Sequence, residues 1–147
     1  MVVESTKAPP ELVGEFVRVA HRVVWCTLVT VDRHGRPRSR VVHPIWEPGP
    51  LTGWVLTRPT PLKRAHLART PYVSCSYWDP AHEVAVAECT ADLDDDPAVR
   101  DHVRRLFAEA PEPLGYDAAI LGGEDSYTVL RLTPWRLSTG GRAWRAA

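Results

Sequence analysis

Between Cys26 and Trp78 the chain is cut into short apolar runs by turn residues, with no stretch long enough for a helical crossover until Thr60. Val23 to Asp32 is rich in β-branched residues and apolar on both faces, as a buried strand would be. His34-Gly35-Arg36-Pro37 supplies the glycine and proline of a hairpin connection, and Arg38 to Trp46 continues as its return strand. Glu47-Pro48-Gly49-Pro50 ends that strand, because proline donates no ladder hydrogen bond. Gly53 to Thr57 makes a third strand and Tyr72 to Trp78 a fourth. Strands joined by turns pair antiparallel, so the pattern limits this chain to an antiparallel barrel or sandwich.

The remainder fits that frame. Residues 1–10 are polar, end in Pro9-Pro10 and read as a loose arm. Glu11 to Arg22 has Leu12, Phe16, Val19 and Val23 near helical spacing. Thr60-Pro61 has the form of a helix start, with the helix running to about Ala68. Glu83 to Leu93 is a fifth strand, joined to the fourth by Asp79-Pro80-Ala81-His82. Asp94-Asp95-Asp96-Pro97 caps a helix from Ala98 to Ala108, and Tyr127 to Leu132 with Trp135 to Leu137 closes the set. At 147 residues, without repeats or a linker, residues 1–147 read as a single domain.

Eighteen basic and 18 acidic residues cancel, so no global charge favours nucleic acid or an anionic membrane. The three cysteines, Cys26, Cys75 and Cys89, each lie in an apolar run at spacings that match no zinc pattern; they read as buried free thiols. With no signal-peptide core and no apolar run of membrane-spanning length, the expected location is the cytoplasm. Asp92, Asp94, Asp95 and Asp96 read as helix-capping carboxylates rather than metal ligands. His43 and His66 have no partner set by spacing and read as packing or surface residues. The serines lack a nucleophile-elbow context, so no hydrolase chemistry is expected.

One group points to an anion. A helix start at Thr60-Pro61 exposes unpaired N–H groups, which favour negative charge. Lys63 falls in that first turn, where a cation is unfavourable for the helix alone, and it is one of only two lysines in the chain. Arg40 offers a guanidinium suited to bidentate phosphate binding, and Thr57 a hydroxyl.

Arg40-Val41-Val42, then Leu56-Thr57, Lys63 six residues after the threonine, Thr70-Pro71 and Tyr77-Trp78 together resemble the flavin-binding split-barrel family of pyridoxamine 5′-phosphate oxidase. The resemblance runs from about Thr27 to Asp95 and more weakly through Arg131-Leu132-Thr133-Pro134. It implies a mainly β, α+β fold: a six-stranded antiparallel split β-barrel of Greek-key form with short flanking helices. It also implies an FMN site in which Arg40 and Lys63 bind the phosphate, the backbone around Val41 and Val42 faces the ring edge, and Leu56-Thr57 carries a hydroxyl to the phosphate or ribityl chain. Relatives place the cofactor at a two-fold homodimer interface, for which Trp46, Trp54 and Trp78 are candidate contacts, with packing inside the barrel an equally good reading of each. Some use the deazaflavin coenzyme F-420 instead.

The departures matter as well. Ile45 stands where oxidases of pyridoxamine phosphate carry a lysine, and Val84-Ala85 where a flavin-contacting glutamine is expected. Arg142-Ala143-Trp144-Arg145 lacks the His and Asp of the substrate-reading segment. The resemblance therefore implies a flavin-dependent oxidoreductase acting on some other small molecule, with no side chain assigned as acid or base. The alternatives are a deazaflavin-dependent reductase and a non-catalytic flavin or haem carrier.

Overall fold

The computed structural model describes residues 2–58 and 60–147, with the side chains of 61–63 and 124 outside the description. In chain order its elements begin with β1 (Val2–Ser5), α1 (Pro10–Val23), β2 (Cys26–Val31), β3 (Pro37–Val42) and β4 (Ile45–Glu47). β5 (Thr52–Thr57), α2 (Pro61–Arg69), β6 (Tyr72–Trp78) and β7 (Val84–Asp94) follow. The chain ends with α3 (Pro97–Glu109), β8 (Thr128–Thr139) and β9 (Arg142–Ala146).

Six of the strands make the expected antiparallel barrel. β2 pairs with β3 and β6, β6 with β7, β7 with β8, and the first half of β8 with β5. Among the described residues β3 and β5 do not pair with each other, so the barrel stays open between them. The second half of β8 continues past β5 and pairs with β9, and β4 adds to the free side of β5.

β1 differs from the expected loose arm. Val2–Ser5 runs parallel to Ala143–Ala146, held further by Trp144 Nε1 donating to the Ser5 carbonyl at 3.1 Å and by the Glu4–Arg145 ion pair. Nothing local announces this pairing, because its partner is at the other end of the chain.

Alternation along the strands builds the core. Val73, Cys75 and Tyr77 of β6 and Ala85, Ala87, Cys89 and Ala91 of β7 all point inward. The small residues on β7 leave room for α1, whose Leu12, Phe16, Val19 and Ala20 join the same cluster. Phe16 meets the Trp46 ring edge-on at 4.9 Å, and Trp46 Nε1 donates to Tyr77 Oη at 2.9 Å, so the buried indole is satisfied. A second cluster lies under α3, where Trp54, Leu56 and Val129 meet Val103 and Phe107. α3 begins as its sequence indicates: the Asp96 carboxylate accepts the Ala98 N–H at 2.9 Å and Pro97 occupies the first turn.

Candidate functional site

The site begins at the β2–β3 turn. Gly35 takes φ +76°, a conformation open to glycine, and its N–H donates to the Asp32 carbonyl at 3.0 Å. The buried Asp32 carboxylate accepts the N–H groups of Arg36 and His34 at 3.0 and 2.9 Å, and the Arg36 Nε at 2.9 Å. These bonds, the Arg36 N–H foremost, pull its pKa down to about 2. Of the four arginines on this hairpin, Asp32 engages Arg36 directly and Arg38 at 4.0 Å, while Arg33 Nε lies 3.2 Å from His34 Nε2.

Arg40 is the fourth, and it is placed differently. It lies opposite Leu28 on β2, at the edge of β3 that faces the barrel opening. Among the described residues it forms no ion pair; its nearest polar contact is Thr30 Oγ1 at 3.5 Å, at the limit of a hydrogen bond. There a recess of about 50 Å³ enters the barrel between β3 and β5, under α2. Arg40, Thr30, Thr57 and His66 form its polar lining, with Val42 and Leu67 among the apolar groups. A volume this small, well short of the ~300–1,000 Å³ of a site that encloses a whole ligand, suits one end of a larger molecule.

The structure thus brings Arg40, Val42 and Thr57 together. Val41, between two inward residues, points out and is 64% exposed. Leu56 packs under α3, so only its backbone lies beside the recess. The Lys63 side chain lies outside the described residues. α2 does start at Pro61, with the Thr60 carbonyl accepting the Arg64 N–H at 3.1 Å. Arg64 then pairs with Asp95 at 3.0 Å, tying α2 to the β7–α3 junction above the recess.

His66, read from sequence as a packing or surface residue, lines the recess. The missing signal was tertiary: α2 crosses the barrel opening, which no spacing along the chain reveals. His43 packs as expected, 4.5 Å from the Trp25 ring and with Nδ1 3.1 Å from the Leu114 carbonyl. The acidic residues are engaged: Arg131 bridges Asp92 and Asp94, Asp96 caps α3, and Thr128 donates to Asp95 at 2.6 Å. Glu88 pairs with Arg136 at 3.3 Å. The cysteines are free and buried, and the Cys26 thiol, hydrogen-bonded to Cys75 and desolvated, is held far up in its protonated form.

The candidate interface tryptophans divide. Trp46 and Trp54 are 1% and 8% exposed and belong to the core, so for these two the structure takes the packing reading over the interface one. Both rings fall on inward positions, and Trp54 Nε1 is satisfied by Glu47 at 2.6 Å. Trp78 is 64% exposed, and the register places it beside Val84 on the outer face of the sheet. Val41, Thr27 and Ser76 lie side by side on that face, and exposed Trp25 stands just before β2.

No family model matches the chain, and no curated protein matches it in sequence. Solved structures match it in fold. One is a Clostridium acetobutylicum protein related to general stress protein 26 of B. subtilis and described as of the pyridoxinephosphate oxidase family. It gives a TM-score of 0.70 over 90% of each chain at 14% identity. Another is a pyridoxamine 5′-phosphate oxidase-related, FMN-binding protein of Nostoc punctiforme, with a TM-score of 0.60 over 92% of this chain and 88% of that one at 15% identity. A third, described as an F420 reductase, covers 84% of this chain and 95% of its own at TM-score 0.59 and 16% identity. Likeness at these identities is one of architecture: the chain has the split-barrel fold of the pyridoxamine 5′-phosphate oxidase-like proteins.

Proposed function

We propose that the recess between β3 and β5 takes the terminal phosphate of FMN, and that the protein is a flavin-dependent oxidoreductase acting on a small molecule. The observation that carries this reading is Arg40: a guanidinium with no carboxylate partner among the described residues, beside two threonines in a recess of phosphate scale. Arg36 and Arg38, on the same hairpin, have Asp32. An anion gives Arg40 a counter-charge and charge-assisted hydrogen bonds.

In this proposal Arg40 binds the phosphate from the β3 edge, and Lys63, assigned to the same phosphate by the sequence resemblance, is its second cation. Thr57 donates its hydroxyl, and His66 adds a ring N–H from α2. The backbone at Val41, Val42 and Leu56 borders the ribityl chain and ring. Valine and leucine side chains around the opening exclude water. FMN, when bound, supplies two-electron redox chemistry, which the side chains here do not. The ring, too large for the recess, lies over the outer face against a second copy, so the working form is a homodimer with the small-molecule substrate reaching the interface. The F420 reductase of the same fold supports a deazaflavin as the second reading of the cofactor.

The test is titration of the purified protein with FMN and with coenzyme F-420, followed by absorbance. Arg40→Ala removes a charge-assisted interaction of about 1.5–3 kcal/mol, so FMN affinity should fall roughly ten- to a hundredfold. The further change Lys63→Ala should deepen the loss, and Arg38→Ala should leave affinity nearly unchanged. Equal affinity in the Arg40→Ala protein overturns the phosphate site. Uptake of F-420 alone changes the cofactor, and a bound flavin that is reduced but passes electrons to no acceptor identifies a carrier.

A further inference from the structure

A larger groove lies away from this recess. It holds about 980 Å³ between the N-terminal arm, α1, the turn after β4 and the second half of β8. That is the size of a site for a whole small molecule. Its walls are mainly apolar, from Val13 and Val17 on α1 to Leu51, Pro134 and Leu137. The prolines among them lack N–H groups and leave no donor unsatisfied when covered.

Two further features tell what fits there. Gly14 lies in the interior of α1 on the groove side, where a glycine weakens a helix relative to alanine. A Cβ added at Gly14 would meet nothing within 4 Å, so packing inside the chain does not require the glycine. Its effect is to widen the groove. The second feature is charge. Lys7 stands on the rim, and among the described residues it has no ion-pair partner; Glu4 and Glu15, on the flanking elements, are taken by Arg145 and Arg142. The groove therefore offers mainly apolar walls and, among the residues that line it, a single cation, the exposed Lys7.

We infer that this groove is a second binding site, for a long-chain carboxylate whose hydrocarbon tail lies along α1 over Gly14 and whose head group meets Lys7. Charge complementarity selects the monoanion, and the volume selects a chain of fatty-acid length over a short acid. The inference is independent of the flavin reading, since no residue of the groove lines the recess under α2.

The test is calorimetric titration of the intact protein with dodecanoate below its micelle concentration, with dodecanol and butyrate as comparisons. Expected is one site per chain, with dodecanoate bound at least tenfold more tightly than either comparison. Gly14→Leu fills the groove while improving helix propensity and should abolish binding with the circular dichroism unchanged. Lys7→Glu, an exposed change that leaves the fold alone, should weaken binding of dodecanoate more than tenfold and of dodecanol little. FMN uptake should be the same in both variants. Absence of dodecanoate binding, or binding unaltered by either substitution, overturns the site. A loss of dimer in the Gly14→Leu protein on size-exclusion chromatography also overturns it, since the groove would then be covered by a second copy of the chain.

Discussion

Asp32 and Arg40 share one hairpin and meet opposite electrostatic conditions. Asp32 is a buried carboxylate supplied with N–H donors, and that supply is what lowers its pKa to about 2. An unfolded aspartate titrates near ~3.9, so the folded value is depressed and the ionised form is favoured by folding. The resulting stability is full above about pH 4 and is lost as pH falls through the folded value near 2. Urea melts of the native protein and Asp32→Asn should therefore differ above pH 4 and converge toward pH 2. A gap that stays constant over that range would show the carboxylate's charge to be irrelevant to the turn. Arg40 is the reverse case, a charge the fold positions without neutralising among the described residues. Arg40 is exposed, so solvent screens it in the free protein and its guanidinium is available to a ligand.

Elements with strong local signals were legible from sequence, and elements defined by distant partners were not. Tyr72–Trp78 and the capped helix at Asp96-Pro97 fall where alternation and capping place them, because their determinants are a few residues apart. Arg40, Val42 and Thr57 converge for the same reason: period-two alternation on β3 and β5 sends them to one side. The same rule sends Val41 outward and the Leu56 side chain toward α3. His66 and the β1–β9 pair were not legible, since one depends on where α2 crosses and the other joins the two ends of the chain. The β1 pairing makes a specific claim about β9. Deleting residues 1–6 removes the parallel partner of Ala143–Ala146 and the carbonyl that holds Trp144 Nε1. Hydrogen exchange should quicken at the β9 amides while those of β6, between β2 and β7, stay protected. Equal protection of β9 after the deletion would mean that β8 alone holds that strand. At the cap, Asp96→Ala should cost about 1 kcal/mol in chemical melts.

For the whole molecule, the two open features of the barrel belong together. Among the described residues β3 leaves an unpaired edge at the recess, and its outward residue Val41 shares the outer sheet face with exposed Trp78 and Val84, with Thr27 and Ser76 between them. In the proposed homodimer this face, with its exposed Trp78, Val84 and Val41, is the contact surface. In the proposed function the recess takes one end of a flavin and a second copy walls the rest, so cofactor binding and dimer formation are expected to be linked. A ligand that contacts both copies binds the dimer better than the monomer, and FMN should then slow dissociation on dilution. Val41→Asp with Trp78→Asp places like charges across a two-fold interface and should yield a folded monomer by size-exclusion chromatography and circular dichroism. FMN affinity should drop in that monomer even though Arg40 and Thr57 are intact, and high salt should restore neither property, because the lost contact is apolar. A monomer that keeps full FMN affinity would place the whole cofactor on one chain and remove the interface from the proposal. A protein that stays dimeric would leave the linkage to be sought on another face.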